Sequence, residues 1–281
     1  MPKPVLIIHG GAGRASKDPK RAERARRKLS EILKSSYEKL LGTNAVEAVT
    51  HAVRLLEDDL EFNAGTGSRL QADGEARLSA SVMDGRSGRF AAVINLEKIK
   101  NPVLVARALL SETDRVLTGQ GAFQFAKKIG LKPSDPRTKE AILNWKKWKE
   151  TACDTVGACA LDGDGNLASA TSTGGRGFET PGRVSDSGMP VANFSDAHCA
   201  ISATGIGEDI IDEGLAIKIA TRVRDGLGLE KAFQRTFREV RSRGRRMGAI
   251  GLDRKGNVVW ETTTETLLYA WRRDKVITFY I

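Results

Sequence analysis

The chain has 281 residues and a formal net charge of +10, from 45 Lys and Arg against 35 Asp and Glu. Apolar residues make up 40% and charged residues 28%, which excludes a mostly disordered chain and allows one large domain or two small ones. No run approaches 18 apolar residues, so we expect no membrane-spanning helix. The three cysteines form no Cys-x-x-Cys pair, and we expect reduced thiols in a cytoplasmic protein.

The positive charge makes a nucleic-acid partner one hypothesis, but its distribution argues against it. Residues 155–281 hold 17 basic and 16 acidic side chains, whereas residues 1–154 hold 28 and 19. Much of the excess lies between Lys17 and Lys39, a helical pattern with one apolar face, formed by Leu29, Ile32, Leu33, Tyr37 and Leu40. A solvated helix face explains such a run. A basic RNA-binding protein without catalysis stays open as the remote alternative.

The first half predicts strands and helices in the order strand, two helices, two strands, helix. Their expected ranges are a buried strand at 5–8 that ends in a glycine turn at 9–13, a helix to about Leu41, a helix from Ala45 to Leu60 capped by Asn44, a loop at 63–67, strands near 76–83 and 90–96, and a helix at 103–110. The polar, lysine-rich segment 127–150 predicts an exposed, mobile connection.

The second half predicts two hairpins with helices between them. Residues 155–161 and 167–173 flank the tight turn 162–166, and a related pattern returns 91 residues later around residues 248–257. Residues 207–227 and 229–243 read as two helices. Strands, then helices, then strands favour antiparallel sheets with helices outside, an α+β layered fold.

Threonines and glycines are dense in one region of this second half, around Thr155, Thr171, Thr173 and Thr204. Each threonine alone is most simply a strand residue, and each glycine a turn residue. Arg183 and Asp186, three residues apart, form either a local ion pair or a grip on the two charges of an amino-acid zwitterion.

Several longer motifs, in a fixed order along the chain, carry a resemblance to a known family. They are His9-Gly-Gly-Ala-Gly13, Asn63-Ala-Gly-Thr-Gly67, Asp154-Thr155-Val-Gly157, Ala170-Thr-Ser-Thr-Gly-Gly175, Pro181-Gly-Arg183-Val-Ser-Asp186-Ser187 and Ala203-Thr204-Gly-Ile-Gly-Glu208. With them the chain resembles, over almost its whole length, the plant-type L-asparaginases and isoaspartyl peptidases, which are N-terminal nucleophile hydrolases.

The resemblance implies an inactive precursor that cuts itself before Thr155. Residues 1–154 would become an α subunit and residues 155–281 a β subunit within one folded domain. A threonine hydroxyl needs a base within hydrogen-bond reach, and the new α-amine, with a reference pKa of about 7.7–8.0, supplies one. By the same resemblance, Thr173 tunes the nucleophile, Asn63 lies near it, and Thr204 with the Gly205 N–H forms the oxyanion hole.

The resemblance further implies that Arg183 anchors the substrate α-carboxylate and that Asp186 and the Gly207 carbonyl receive its α-ammonium, with Thr204 and Gly205 at the reacting carbonyl. The substrates would be L-asparagine and β-aspartyl dipeptides. One loop resembles a sodium site made of backbone carbonyls, from Leu56, Glu57, Asp59, Phe62, Ala64 and Thr66. No other cofactor is expected.

The implied fold is a four-layer αββα sandwich, in agreement with the α+β element order. The implied assembly is a dimer of cleaved heterodimers, with no nucleic-acid or membrane partner. A glycosylasparaginase-like enzyme and a threonine endopeptidase of the same superfamily stay open as close alternatives.

Overall fold

Two β-sheets lie face to face between two layers of helices in the computed structural model, which describes residues 2–15, 18–147 and 155–280. The strands are β1 (Val5–Gly13), β2 (Leu78–Asp84), β3 (Arg89–Leu96), β4 (Val116–Thr118), β5 (Val156–Leu161), β6 (Leu167–Thr173), β7 (Asn193–Ser195), β8 (Cys199–Gly205), β9 (Met247–Asp253), β10 (Val258–Thr262), β11 (Thr266–Arg273) and β12 (Val276–Tyr280). The helices are α1 (Pro19–Gly42), α2 (Ala45–Asp58), α3 (Pro102–Leu109), α4 (Gly119–Lys128), α5 (Lys139–Lys146), α6 (Gly207–Glu213), α7 (Leu215–Arg224) and α8 (Leu229–Ser242).

The larger sheet has eight strands in the order β12-β11-β1-β5-β6-β2-β3-β4, and the smaller has four in the order β10-β9-β8-β7. Neighbouring strands in the described part of the chain are antiparallel except β3 and β4, which are parallel. The expected antiparallel pairing is confirmed elsewhere and fails at this edge, where α3 connects the two strands as a crossover.

Three apolar clusters separate four layers of secondary structure. The first fills the space between the larger sheet and the helices α1 to α4, and the second lies between the smaller sheet and α6 to α8. The third lies between the two sheets. This arrangement confirms the predicted αββα sandwich.

The first strand shows why the sequence produces these layers. Leu6 and Ile8 belong to the cluster under the helices, whereas Val5 and Ile7 belong to the cluster between the sheets. Because successive side chains of a strand point to opposite faces, an unbroken apolar run buries both faces at once. The predicted glycine turn at 9–13 is wrong, however. The strand continues to Gly13, and its pairing with β11 shifts between His9 and Gly11, as in a β-bulge.

The helices confirm the predicted amphipathic pattern and one predicted cap. The apolar face of α1 is buried at the predicted positions, while its basic side chains stay largely in solvent. Asn44 accepts a hydrogen bond from the Glu47 N–H at 3.0 Å and begins α2, which ends at Asp58, two residues before the predicted end.

One expectation about helices is incomplete and another is wrong. The segment 127–150, predicted as an exposed, mobile connection, contains α5, which is capped by the Thr138 side chain and buries none of its residues, while residues 148–150 lie outside the described part of the chain. The predicted single helix at 207–227 is two helices, α6 and α7, which meet at Gly214, whose φ is +57°. Both predicted hairpins are confirmed, as β5–β6 and β9–β10.

Candidate active site

Thr155 directly precedes β5 and is buried, with 4% of its surface exposed. Its Oγ1 donates a hydrogen bond to Thr173 Oγ1 at 3.3 Å, and Thr173 Oγ1 also accepts from the Gly175 N–H at 3.1 Å. Thr173 is the last residue of β6, the antiparallel neighbour of β5. The hairpin therefore places the predicted nucleophile beside the hydroxyl that is predicted to tune it.

Asn63 lies against the turn that follows Thr173. Its Nδ2 donates to the Gly175 carbonyl at 2.6 Å, its Oδ1 accepts from the Arg69 N–H at 3.0 Å, and its own carbonyl accepts from the Gly174 N–H at 3.0 Å. Among the described residues, the Asn63 side chain makes no hydrogen bond to Thr155 itself. It fixes the Thr173–Gly175 turn, one contact removed from Thr155.

Thr204 and Gly205 end β8, in the opposite sheet, at the end of the sandwich where β5 begins. The Ala12 N–H donates to Thr204 Oγ1 at 3.2 Å. Ala12 belongs to β1, which pairs with β5 along Val5–His9. Gly205 has a φ of +130°, and a Cβ there would lie 2.6 Å from Met247 Cα. Only glycine fits this backbone without strain, which agrees with the predicted use of its N–H as an oxyanion donor.

A chain of buried polar groups joins the two sheets behind Thr155. His9 Nε2 lies 2.8 Å from Ser202 Oγ, which lies 2.8 Å from Thr171 Oγ1. Burial lowers the pKa of His9 to about 3, so its imidazole is neutral. His9 is thus a structural histidine, and nothing in the sequence near His9 or Ser202 shows that the two sheets bring these side chains together.

The predicted substrate-binding residues converge on Gly207. A Cβ at that glycine would lie 2.5 Å from Asp186 Oδ1 and 2.6 Å from Arg183 Nη2. Asp186 is buried, its Oδ2 has no hydrogen-bond partner in the described structure, and burial raises the pKa of its carboxyl to about 6. A cation and a carboxyl with one unsatisfied oxygen, both facing one small residue, suit the two charges of a zwitterion.

Arg183 is paired with Glu208, not with Asp186, so the local ion pair considered above does not form. Its Nε donates to Glu208 Oε1 at 2.7 Å and its Nη2 to Glu208 Oε2 at 3.0 Å. This bidentate contact uses one edge of the guanidinium and leaves the N–H groups of its other edge for a second carboxylate. Glu208 ends the motif that contains Thr204, but nothing in that motif predicts its pairing with Arg183.

Carbonyl oxygens converge in the loop predicted to hold sodium. A Cβ on Gly67 would overlap the carbonyl oxygen of Phe62 and would lie 3.1 Å from those of Asp59 and Leu60. Hard cations take such oxygen ligands, so the carbonyls of Asp59 and Phe62 fit the implied site, although that of Phe62 also accepts the Ala64 N–H at 3.0 Å. The Leu60 carbonyl joins them, although the resemblance does not imply it.

The remaining predicted ligands have other contacts. The Leu56 and Ala64 carbonyls accept the N–H groups of Asp59 and Gly67, the Glu57 carbonyl lies against Gly65, and Thr66 lies in the single helical turn Gly65–Gly67. No cluster of three or more His, Cys, Asp or Glu side chains suited to a metal occurs within residues 2–15, 18–147 and 155–280.

Replacement of Gly67 by alanine is expected to destabilise the fold by about 1–3 kcal/mol, because the added Cβ would overlap the Phe62 carbonyl oxygen. Urea unfolding measures this change. The matched control is Gly121→Ala in α4, where a Cβ meets nothing within 4 Å and should stabilise the helix slightly. Equal unfolding midpoints for Gly67→Ala and the wild type would show that the loop is not closed as described.

Known proteins that are similar to this chain in sequence belong to one family of hydrolases. The sequence model of the asparaginase family matches residues 2–153 and, in a second segment, residues 148–281. An isoaspartyl peptidase/L-asparaginase of Nostoc sp. (strain PCC 7120) is 43% identical, and the alignment covers 98% of this chain and 93% of that protein. The isoaspartyl peptidase of Escherichia coli K12 is 37% identical, with coverage of 96% and 93%. A plant-type L-asparaginase of Pyrobaculum calidifontis is 35% identical, with coverage of 95% and 96%.

The αββα layering and these matches define the class of the protein, which is a hydrolase with the N-terminal nucleophile type of sandwich. The chain belongs to the asparaginase family, because the family model and the relatives cover nearly its whole length. The family and the enzyme class predicted from the sequence are therefore confirmed. No helix of the described residues is long and apolar enough to cross a membrane.

Proposed function

We propose that the chain cuts itself before Thr155 and then acts as an L-asparaginase and isoaspartyl dipeptidase through that threonine. The observation that carries this proposal is the hydrogen bond of the buried Thr155 hydroxyl to Thr173. A threonine hydroxyl gains nucleophilic power only from a nearby base, and cleavage creates an α-amine on the same residue. The names of the relatives in Nostoc and Escherichia coli support the same activities.

The proposed reaction proceeds through an ester on Thr155. The neutral α-amine takes the hydroxyl proton as Thr155 Oγ1 bonds to the side-chain carbonyl carbon of the substrate. The Thr204 hydroxyl and the Gly205 N–H stabilise the resulting oxyanion. Collapse of the intermediate passes the proton to the leaving nitrogen, which departs as ammonia or as the amine of a second residue. Water then attacks the ester by the same proton path, which releases aspartate and restores the amine and hydroxyl.

The groups around Gly207 favour a free amino-acid end on the substrate. Arg183 binds the α-carboxylate with the guanidinium edge that Glu208 leaves unused, and Asp186 with the Gly207 carbonyl receives the α-ammonium. A threonine endopeptidase has no use for such a pair, because its substrates carry neither charge at the cut site. A glycosylasparaginase-like enzyme also binds a zwitterion, and it is tested with a glycosylated asparagine.

Release of ammonia from L-asparagine and of aspartate from a β-aspartyl dipeptide tests this proposal. The protein is first incubated near neutral pH until self-cleavage is complete. Fully cleaved protein that releases neither product would overturn the assignment, and activity on glycosylated asparagine alone would favour the close alternative.

The proposed state in solution is a dimer of cleaved heterodimers, each with subunits 1–154 and 155–281, in the cytoplasm and without a nucleic-acid partner. A sodium ion would be held by the carbonyls of the Asp59–Phe62 region. Cys159 and Cys199 are free thiols, which supports a reducing compartment. Burial raises the pKa of both, so neither is a reactive thiolate near neutral pH.

The pH dependence of kcat/KM for L-asparagine is expected to steepen below about pH 6. Burial raises the pKa of Asp186 to about 6, so its carboxyl becomes neutral below that pH and loses its attraction for the α-ammonium. The α-amine of Thr155, with a reference pKa of about 7.7–8.0, must also be neutral to act as the base. The logarithm of kcat/KM should rise with a slope near one between about pH 6 and pH 7.7, and near two below about pH 6.

The matched control for this profile is succinamic acid, which is asparagine without its α-amino group. Its turnover still needs the neutral amine of Thr155 but gains nothing from ionised Asp186. Slopes that are the same for both substrates below pH 6 would show that Asp186 does not receive the α-ammonium.

A further inference from the structure

Arg176 is the exposed residue of an otherwise buried turn that holds the partner of the nucleophile. The preceding residue, Gly175, donates its N–H to Thr173 Oγ1 and accepts from Asn63 Nδ2, at 3.1 and 2.6 Å. The carbonyl of Arg176 itself accepts from Arg69 Nη1 at 3.2 Å. The backbone of Arg176 is therefore fixed relative to the reacting hydroxyl, while its side chain extends into solvent.

The guanidinium of Arg176 has no ion-pair partner within the described structure. No carboxylate of residues 2–15, 18–147 or 155–280 forms an ion pair with it within 4.0 Å. Arg183, by contrast, is held by Glu208 on one edge. The pKa of Glu208 is lowered mainly by its hydrogen bond from Arg183 and, more weakly, by the charge of Arg176. Arg176 thus lies in the same electrostatic environment as the proposed substrate anchor.

Distances along the turn place Arg176 within reach of a bound dipeptide. Thr155 Oγ1 lies 3.3 Å from Thr173 Oγ1, which lies 3.1 Å from the Gly175 nitrogen. Ordinary backbone geometry then puts the Arg176 Cα at most about 12 Å from the nucleophile. An extended arginine side chain spans roughly 6–7 Å, and the carboxylate of the leaving residue lies roughly 5 Å from the scissile carbon. The side chain and the leaving residue together are therefore long enough for the Arg176 guanidinium to meet that carboxylate.

A cavity of about 460 Å³ is lined by both Asn63 and Arg176. Its wall includes the apolar rings of Phe62, Trp145 and Phe178, and its five basic side chains outnumber the acidic ones, Glu61 and Glu140. Such a lining suits a ligand that combines an aliphatic part with a carboxylate.

We propose that Arg176 binds the α-carboxylate of the residue that leaves from a β-aspartyl dipeptide and so favours dipeptides over L-asparagine. L-Asparagine releases ammonia and has no such carboxylate. The inference rests on the proposed function, because it assumes that the scissile carbonyl reacts at Thr155.

Two substrates that differ only in this carboxylate test the proposal, β-aspartyl-alanine and its C-terminal amide. The wild type should prefer the free acid by about three- to five-fold in kcat/KM at low salt, the size expected for a solvent-exposed ion pair. The preference should shrink in high salt, because salt screens exposed charges. Arg176→Gln should bring the ratio close to one, and Arg176→Lys should keep part of it.

The control variant is Arg86→Gln. Arg86 is an exposed arginine in the turn between β2 and β3, and that turn contacts Leu167 at the opposite end of β6 from Thr173. The Arg86→Gln variant should keep the wild-type ratio of kcat/KM for the free acid to kcat/KM for the amide. A wild-type ratio of one, or an equal fall in Arg86→Gln, would overturn the proposal.

The outcomes also separate this proposal from the proposed function. Wild-type protein that neither cuts itself nor releases ammonia from L-asparagine contradicts the function. Wild-type protein that does both, but treats the acid and the amide alike, contradicts only the role of Arg176.

Discussion

Incubation of the purified protein near neutral pH is expected to convert the 281-residue chain into two fragments, the smaller of which begins with Thr155. Denaturing gel electrophoresis separates them, and N-terminal sequencing identifies the new end. Thr155→Ala should stay whole and should release no ammonia from L-asparagine. Loss of the nucleophile should lower the turnover by a factor of at least about 10⁴, the size found when the attacking group of a hydrolase is removed.

The size of this effect follows from the double use of one hydroxyl. Thr155 Oγ1 would attack the peptide bond before it in the precursor and the substrate carbonyl afterwards, so one substitution removes both steps. The control is Thr155→Ser, which keeps the hydroxyl and its hydrogen-bond partner Thr173 and should still cut itself. If Thr155→Ala were cleaved like the wild type, another group would perform the cleavage and the proposed mechanism would be wrong.

The pairing of Thr155 with Thr173 was within reach of the sequence, because it is local. Residues 162–166 form a tight turn, and the antiparallel register that follows from it pairs Leu161 with Leu167 and Val156 with Ser172. One step further along the hairpin, Thr155 meets Thr173. Hairpin register is set by the turn, so these two hydroxyls could be placed together before any tertiary contact was known.

The ion pair of Arg183 shows where such reasoning ends. Asp186 lies three residues away in the chain, a spacing that allows a local ion pair, yet the guanidinium binds Glu208, which is 25 residues away and follows β7 and β8. Only the packing of α6 against the Asp186–Gly188 turn brings these groups together. For the same reason the contact of His9 with Ser202, across the two sheets, has no signal in the sequence near either residue.

At two places the structure around glycine differs from the one that local composition predicts. The run His9–Gly13 predicts a turn from composition, but it continues a central strand, because β11 pairs with it as far as Gly13 and β5 as far as His9, and this pairing overrides the local preference. Gly214, a single glycine in a long helical pattern, marks the break between α6 and α7, which composition alone did not indicate. Tertiary context decided each case.

Arg183→Ala is expected to lower kcat/KM for L-asparagine by roughly two to three orders of magnitude, mostly through a higher KM. The Arg183 side chain is only 13% exposed, so its pair with the substrate α-carboxylate would be largely buried. Loss of one partner from such a hydrogen-bonded charge pair typically costs about 2–5 kcal/mol. The Glu208 carboxylate, 50% exposed, would stay behind without its cation. It would then repel the α-carboxylate of the substrate, which adds to the loss.

This second contribution can be separated from the first. The double variant Arg183→Ala, Glu208→Gln removes the repulsion and should recover part of the lost kcat/KM. Arg183→Lys keeps the positive charge but not the two-pronged guanidinium, so its kcat/KM should lie between those of the wild type and Arg183→Ala. β-Alaninamide, which is asparagine without its α-carboxylate, is the matched substrate, and its turnover should change little in Arg183→Ala. An unchanged KM for L-asparagine, or an equal loss with both substrates, would mean that Arg183 positions the loop around Asp186 and does not bind the carboxylate.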